Sequence, residues 1–196
     1  TERIDALPIQ PVRPIFVFWG RIHAQKGLSR ALGLFAGVLA QRLDACFYII
    51  GPDDGALTQI RSLTVVDGLG PAVQFLGPMD FSGIREVASM ASFYLQTSEL
   101  EGMGMSVVEA MQLGLVPVVT PVGEIGHYAR QGKNAVVVRD DAIAAAEVLA
   151  LLDDDARFQT MRQGAIATWA EQPLYRHSVL AACRALLNDG RVRVGP

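Results

Sequence analysis

Short apolar segments alternate with longer segments of helical periodicity along most of the chain. Six short segments are rich in β-branched and aromatic residues and are predicted to be strands, at 15–19, 46–50, 73–76, 93–96, 116–120 and 135–138. Helical spacing of apolar residues predicts helices at 27–41, 56–65, 81–91, 105–113, 124–130, 141–152, 155–169 and 174–187. Each strand is apolar enough to be covered on both faces, which is typical of a parallel sheet.

This alternation predicts an α/β fold: a doubly wound, parallel, six-stranded Rossmann-like sheet with helices on both faces. Ligands of such sheets bind at the carboxyl ends of the strands, so the loops that follow strands are the candidate functional segments. Three early prolines, Pro8, Pro11 and Pro14, predict that residues 1–14 are an interdomain linker. The chain has no internal repeat, and we expect residues 15–196 to form one domain.

The composition of the chain excludes several classes of protein. Hydrophobic residues make up 51% of the chain and charged residues 19%, which excludes intrinsic disorder. The formal charge of -3 provides no basic footprint for a nucleic acid. No apolar run approaches the roughly 18 residues of a spanning helix, and the first residues lack the apolar core of a secretory signal. Cys46 and Cys183 are expected to be buried reduced thiols, which favours a cytoplasmic location.

The loop after the first predicted strand, Gly20 to Gly27, contains two cations five residues apart. Arg21 offers a planar fork of donors and Lys26 a point charge, so both can converge on one phosphate group. The alternative is that both are solvated loop cations.

The loop after the fourth predicted strand combines glycines with two carboxylates. Gly102 and Gly104 permit close approach of the backbone to a ligand, and the helix that begins near Met105 presents free N–H groups to an anion. Glu101 and Glu109 are placed to flank a bound molecule, and carboxylates accept hydrogen bonds from sugar hydroxyls. The alternatives are a helix-capping role for Glu101 and an exposed helix position for Glu109.

Two further features suggest chemistry but have simpler explanations. The loop Thr120 to Tyr128 is placed to lie under the same ligand, although a lone histidine such as His127 more often packs or caps. The acidic run 153–155 contains a D-x-D pattern that some metal-dependent transferases use, but its position between helices favours helix capping.

Four motifs, taken in order, resemble the C-terminal half of retaining glycosyltransferases of the GT-B fold, group one, family four. They are GRIHAQKG, FLGPM, SELEGMGMSVVEAMQLGLVPVVT and VGEIGHYARQGKNAVVV. The E-x7-E spacing of Glu101 and Glu109 is the signature of that family. The resemblance implies that Arg21, Lys26 and Glu101 are the catalytic residues: the two cations hold the donor diphosphate and Glu101 faces the donor sugar. It implies donor binding by Gly20, Gly77, Pro78, Met79, Gly102, Met103, Gly104, Met105, Ser106 and Glu109, with Glu109 on the ribose, 104–106 on the distal phosphate and the turn 76–80 on the base.

The resemblance also implies an activity. It is transfer of a hexose, with retention, from a nucleoside-diphosphate sugar to a glycan or lipid-linked acceptor, without a metal or other cofactor. The acceptor would bind an N-terminal domain that these residues do not include, so this part alone is expected to be inactive, and peripheral association with a membrane stays open. The family's usual Gly-Gly-x-Pro-Glu is replaced here by Gly123-Glu124-Ile125-Gly126-His127. The alternative is therefore a catalytically degenerate module that binds nucleotide sugars; a nicotinamide-binding domain is disfavoured because G-x-G-x-x-G is missing after the first strand.

Overall fold

A computed structural model describes residues 3–170 and 175–188. It contains six strands: β1 (Ile15–Trp19), β2 (Cys46–Ile50), β3 (Val73–Gly77), β4 (Phe93–Gln96), β5 (Val116–Val119) and β6 (Val136–Val137). They form one sheet in the order β3-β2-β1-β4-β5-β6, and every neighbouring pair is parallel. The predicted parallel six-stranded sheet is confirmed. The prediction for the last strand was too long, because only Val136 and Val137 pair with β5.

Eight α-helices connect and cover the strands: α1 (Leu28–Leu39), α2 (Leu57–Val66), α3 (Phe81–Ala88), α4 (Met105–Leu113), α5 (Ile125–Tyr128), α6 (Asp141–Leu152), α7 (Asp155–Ala170) and α8 (Tyr175–Asn188). The bounds of α4 and α6 are those predicted. Residue 174, the predicted start of the last helix, lies outside the described residues.

Three helices, α1, α3 and α5, end earlier than their periodicity predicts, and α3 and α5 do so for a local reason. The hydroxyl of Ser89 donates to the carbonyl of Glu86 at 2.6 Å, which closes the last turn of α3. Ala129 adopts extended dihedral angles, φ -80° and ψ 117°, which ends α5 at Tyr128. The capping role predicted for the acidic run is confirmed at Asp154, whose carboxylate accepts the backbone N–H of Arg157 at 3.0 Å.

The helices form two layers. On one face α1 packs against α2 and α6, and on the other α4 packs against α7. Between them the central strands are buried on both sides, and Phe16 of β1 lies 5.1 Å from Phe93 of β4 and 5.6 Å from Phe35 of α1, measured between ring centroids. None of the described helices is long and apolar enough to span a membrane.

The sheet reverses its direction of winding between β1 and β4. The chain leaves β1 toward α1 and leaves the neighbouring β4 toward α4 on the opposite face, so the two outgoing loops diverge and leave a crevice. The loops meet at its base, where Gly27 (φ 65°) lies against Thr97 and the Thr97 hydroxyl donates to the Gly27 carbonyl at 2.7 Å.

The segment 3–14 forms no helix or strand and contacts the rest of the domain through hydrogen bonds. The backbone N–H groups of Leu7 and Arg13 donate to the Leu113 carbonyl at 2.9 Å and the Ser92 hydroxyl at 2.8 Å. The buried Arg162 guanidinium donates to the Leu7 carbonyl, and burial lowers the pKa of this guanidinium. The boundary predicted at residue 15 stays a prediction.

Both cysteines are free thiols. The expectation that they are buried was wrong: Cys46 is half-buried near the start of β2 and Cys183 is exposed on α8. Residues 179–185 of α8 are all exposed, so the position of Cys183 on a helical stretch did not bring burial.

Gly27→Ala should destabilise the chain by more than about 2 kcal/mol, because a Cβ would collide with the Thr97 carbonyl and would sit at a positive φ. Gly33→Ala, inside α1, has no atom within 4 Å of the new methyl group and should stabilise by about 0.5 to 1 kcal/mol. Urea unfolding of both variants measures the difference, and a Gly27→Ala variant as stable as the parent would contradict the close approach.

Candidate functional site

The loop after β1 carries Lys26 into the crevice. His23 caps the short 3-10 turn Ala24–Lys26 by accepting the backbone N–H of Gln25 at its Nδ1, 3.2 Å away. Lys26 ends that turn, and its Nζ lies 2.5 Å from Oε1 of Glu101 in the loop after β4. The lysine side chain is 20% exposed and that of Glu101 is 11% exposed. The alternative of a solvated loop cation was therefore wrong for Lys26.

Arg21 is placed differently from Lys26. Its guanidinium lies 2.6 Å from the carboxylate of Asp54, in the loop after β2, and the two side chains are 67% and 40% exposed. An exposed pair of this kind contributes little to stability. The described structure thus leaves the predicted convergence of Arg21 with Lys26 on one phosphate untested.

Backbone hydrogen bonds at glycines connect the ends of β1, β2 and β3. The N–H of Gly20 donates to the Ile50 carbonyl at 3.1 Å, and the N–H of Gly51 donates to the Gly77 carbonyl at 2.8 Å. A Cβ at Gly51 would collide with the Gly20 carbonyl. Bare backbone therefore forms this stretch of the crevice.

The carboxylate of Glu101 is anchored through one of its oxygens. Oε1 accepts hydrogen bonds from Lys26 Nζ at 2.5 Å, Gln96 Nε2 at 2.9 Å and Ser98 Oγ at 3.0 Å. In the described part of the chain Oε2 forms no hydrogen bond and is left to accept one from a ligand. The alternative of Glu101 as a helix cap was wrong, because the N-cap of α4 is Gly104 and no side chain caps that helix.

The start of α4 is built from backbone. Gly104 has φ 69°, and a Cβ there would press within 2.9 Å of Ile125 and the Tyr128 hydroxyl. Tyr128 in turn donates its hydroxyl to the Met103 carbonyl at 2.8 Å, which holds the loop from the side. The uncapped N-terminus formed by Met105 and Ser106 combines free N–H groups with the positive end of the helix dipole, which suits an anion.

Glu109 lies one turn further along α4 and is half-buried, so the alternative of an exposed helix position was wrong. Its Oε2 accepts the indole N–H of Trp19, the last residue of β1, at 2.9 Å. The same carboxylate lines a cleft with Met105 and with Phe81, the first residue of α3. Sequence reasoning placed Glu109 near a ligand but did not identify Trp19 as its partner.

The predicted base-binding turn joins β3 to α3 and reaches this cleft through Phe81. Gly77 has φ 72°, a conformation that favours glycine, while Pro78 and Met79 are exposed. Asp80 fixes the end of the turn, because its carboxylate accepts the N–H of Gly83 at 2.8 Å and caps α3.

A network of buried polar side chains lies beneath the crevice, and the sequence pattern did not predict it. Tyr94 and Gln96 of β4 are fully buried, and the Tyr94 hydroxyl lies 2.6 Å from Gln96 Oε1 and 2.8 Å from Ser106 Oγ. Burial, together with the nearby Glu101 and Glu109 charges, raises the pKa of Tyr94, so its hydroxyl stays protonated. The available signal was a polar residue, Gln96, in a strand otherwise buried on both faces.

The third predicted loop packs against the second. A Cβ at Gly123 would collide with the Glu101 carbonyl, and the N–H of Glu124 donates to the Gly102 carbonyl at 3.0 Å. His127 is exposed and lines a cavity with Met103, Arg130 and Lys133. Within residues 3–170 and 175–188, no three histidine, cysteine or acidic residues form a group that could hold a metal ion.

Residues 13–154 match the sequence profile of a family described as glycosyl transferases group 1. The chain belongs to the group 1 glycosyltransferases. Resemblance of the motifs had pointed to the same family, and that interpretation is confirmed.

Curated relatives of this group 1 glycosyltransferase chain include a GDP-mannose:cellobiosyl-diphosphopolyprenol α-mannosyltransferase of Xanthomonas oryzae, 30% identical over 77% of this chain and 41% of the relative. A D-inositol 3-phosphate glycosyltransferase 1 of Catenulispora acidiphila is 31% identical over 91% of this chain and 46% of the relative. The chain therefore spans less than half the length of these relatives.

Solved structures confirm the GT-B type of fold for this group 1 glycosyltransferase chain. A mutant of TarM from S. aureus, crystallised with UDP, fondaparinux and α-GlcNAc-glycerol, superposes with a TM-score of 0.85 at 18% identity over 96% of this chain and 38% of TarM. The C-terminal domain of LpcC, a group 1 family protein from Francisella tularensis, has a TM-score of 0.72 at 18% identity over 83% of this chain and 87% of that domain.

The two ion pairs at the crevice should differ in strength. A double-mutant cycle of Lys26→Met and Glu101→Gln should give a coupling energy of about 1.5 to 3 kcal/mol, because both groups are largely shielded from water. The matched cycle of Arg21→Gln and Asp54→Asn should give less than about 1 kcal/mol.

Urea unfolding at low and at high salt measures both cycles. High salt should weaken the exposed pair more than the shielded one. Equal coupling energies in the two cycles would contradict the burial of the Lys26–Glu101 pair.

Proposed function

We propose that this chain is the donor-binding half of a retaining, metal-independent transferase that moves a hexose from a nucleoside-diphosphate sugar to a glycan or lipid-linked acceptor. The observation that carries the proposal is the shielded Lys26–Glu101 pair beside the uncapped N-terminus of α4. A cation, a helix N-terminus and a carboxylate then lie together, matching the phosphate and hydroxyl groups of such a donor.

Departure of a nucleoside diphosphate requires stabilisation of the negative charge that grows on its phosphates. The Lys26 ammonium has three donors, so it can keep its bond to Glu101 and direct the others to a phosphate. The N–H groups at Met105 and Ser106 supply preorganised positive charge nearby, and Arg21 adds a second cation when it exchanges Asp54 for phosphate. These groups do the work that a divalent metal does in other transferases.

The two glutamates are assigned to the two sugars of the donor. Glu101 presents Oε2 to a hydroxyl of the transferred hexose and orients it without attacking it. Glu109, held by Trp19 beside Phe81 and Met105, accepts from the ribose hydroxyls. Gly20, Gly102 and Met103 border the donor with backbone, and the turn 76–80 meets the base.

The name of one relative supports a sugar nucleotide and a lipid-linked acceptor, and the contents of one similar structure support a nucleotide. The Xanthomonas oryzae enzyme is named for GDP-mannose and a cellobiosyl-diphosphopolyprenol, and the TarM structure contains UDP. We propose that the acceptor binds a further domain and that the protein works in the cytoplasm, at a membrane surface where the acceptor is a lipid. The alternative is a degenerate module that binds the donor without transfer.

The first test is a thermal-shift series of the chain with UDP, GDP, ADP and their common sugar conjugates, with and without magnesium. A ligand that binds only the folded state raises its apparent stability. We expect a shift with one nucleotide that magnesium does not change. A shift that requires magnesium would overturn metal independence, and no shift with any nucleotide would overturn donor binding by this chain.

Lys26→Ala and Arg21→Ala should each weaken binding of that nucleoside diphosphate by about 1.5 to 3 kcal/mol, the scale of a charged hydrogen bond. Lys133→Ala and Arg42→Ala are the matched controls, because Lys133 lies between α5 and β6 and Arg42 pairs with Asp153. Calorimetry measures all four variants, and equal affinities in the Lys26→Ala variant and the parent would contradict the assignment.

Glu109→Gln should lose most of the preference for the ribonucleotide over its 2'-deoxy analogue, since the carboxylate accepts from the ribose hydroxyls. Competition calorimetry with the two nucleotides gives the ratio of dissociation constants. Unchanged discrimination would remove Glu109 from this role, while Glu101→Gln serves as the control that alters the other carboxylate.

A further inference from the structure

The buried amide of Gln96 joins the floor of the crevice to Glu101. Its Nε2 donates to Glu101 Oε1 at 2.9 Å and to Ser98 Oγ at 3.0 Å, and its Oε1 accepts from Tyr94 at 2.6 Å and from Ser106 at 3.1 Å. The residue is fully buried. All four partners belong to β4, the loop that follows it or the first turn of α4.

The orientation of this amide is determined by its neighbours. With Oε1 bonded to the Tyr94 and Ser106 hydroxyls, only Nε2 is left to face the carboxylate. The flipped amide would place its oxygen against Glu101 Oε1, two acceptors without a proton between them. The Tyr94 ring is held by Trp19, with 4.6 Å between the ring centroids, and its single O–H proton is donated to Gln96 Oε1 at 2.6 Å rather than to the more distant Trp19 carbonyl at 3.2 Å.

The same chain of contacts ends at the second carboxylate. Trp19, which packs on Tyr94, donates its indole N–H to Glu109. The two glutamates are therefore held by one buried group, Trp19, Tyr94 and Gln96, which we call the floor network. Hydrogen bonds in such a network restrict one another, so loss of a member is felt by the groups it orients.

We propose that Gln96 is a positioning residue that holds the Glu101 carboxylate with Oε1 turned to the protein and Oε2 turned to the donor sugar. The inference rests on the proposed function for its consequence, and on the hydrogen bonds of Gln96 for its geometry. Lys26 and Ser98, which also bind Oε1, lie in loops. Gln96 lies in strand β4 of the sheet. Without the amide, the carboxylate can rotate, and Oε2 is no longer held toward the donor sugar.

The test compares Gln96→Met with Gln112→Met in the chain as it stands. Gln112 is also a buried glutamine, but its Oε1 accepts the N–H of Ile4, away from Glu101. Calorimetry gives the affinities of each variant for the nucleoside diphosphate and for its sugar conjugate. Gln96→Met should lose about tenfold more affinity for the sugar conjugate than for the diphosphate, the scale of one hydrogen bond to a charged group. Gln112→Met should leave that ratio unchanged.

An unchanged ratio in Gln96→Met, or an equal change in Gln112→Met, would overturn the proposal. Tyr94→Phe provides a second variant that retains the ring but removes the donor to Gln96, and it should change the ratio in the same direction. If Gln96→Met does not fold, an unchanged ratio in Tyr94→Phe overturns the proposal.

A ligand-free measurement separates this inference from the proposed function. The side-chain amide resonances of Gln96 in a nitrogen-15 NMR spectrum should move on Glu101→Gln and stay in place on Asp54→Asn. If the parent binds no nucleotide but these resonances respond as expected, the proposed function fails and the positioning geometry stands. If they do not respond to Glu101→Gln, the positioning geometry fails even where nucleotide binding is found.

Discussion

The pairing of β1 with β4 brings together residues that are far apart in the chain. The two strands are parallel neighbours, yet the helices that follow them cover opposite faces, so their loops rise on either side of one crevice. Lys26 and Glu101, 75 residues apart, reach 2.5 Å only because of this arrangement. The loops can come so close because Gly27 has no side chain to keep Thr97 away. A change that separates these strands would disassemble both the ion pair and the approach to α4.

The polar residues below the crevice connect the sheet to the site. A buried tyrosine or glutamine is costly in a strand covered on both faces unless its donors and acceptors are satisfied. Tyr94 and Gln96 satisfy each other and then bond outward to Ser106 and Glu101. The same side chains therefore satisfy the buried polar groups of the core and orient the loop above it. Fold and site share these hydrogen bonds, so a substitution at Gln96 affects both.

The electrostatics of the crevice divide into a fixed part and an exchangeable part. Lys26 and Glu101 are shielded from water, and Glu101 is hydrogen-bonded to Gln96 of the sheet. Arg21 and Asp54 are exposed to solvent. Under the proposed function, a phosphate in the crevice would meet Lys26 already in place and Arg21 after the loss of only a weak pair. Although the chain carries a formal charge of -3, the start of α4 presents free N–H groups and the positive end of a helix dipole. Such a distribution suits a small anionic ligand rather than a polyanion.

The sequence by itself determined the order of elements, the parallel sheet and the loops that carry the chemistry, because periodicity and glycine positions are local properties of the chain. It also identified Lys26, Glu101 and Glu109 as functional candidates and the family to which the chain belongs. Only the tertiary structure decided that Lys26 pairs with Glu101, that Arg21 turns to Asp54, and that Trp19 and Gln96 hold the two glutamates. These contacts join positions 5 to 90 residues apart, and their partners depend on strand order and register, which no local pattern encodes.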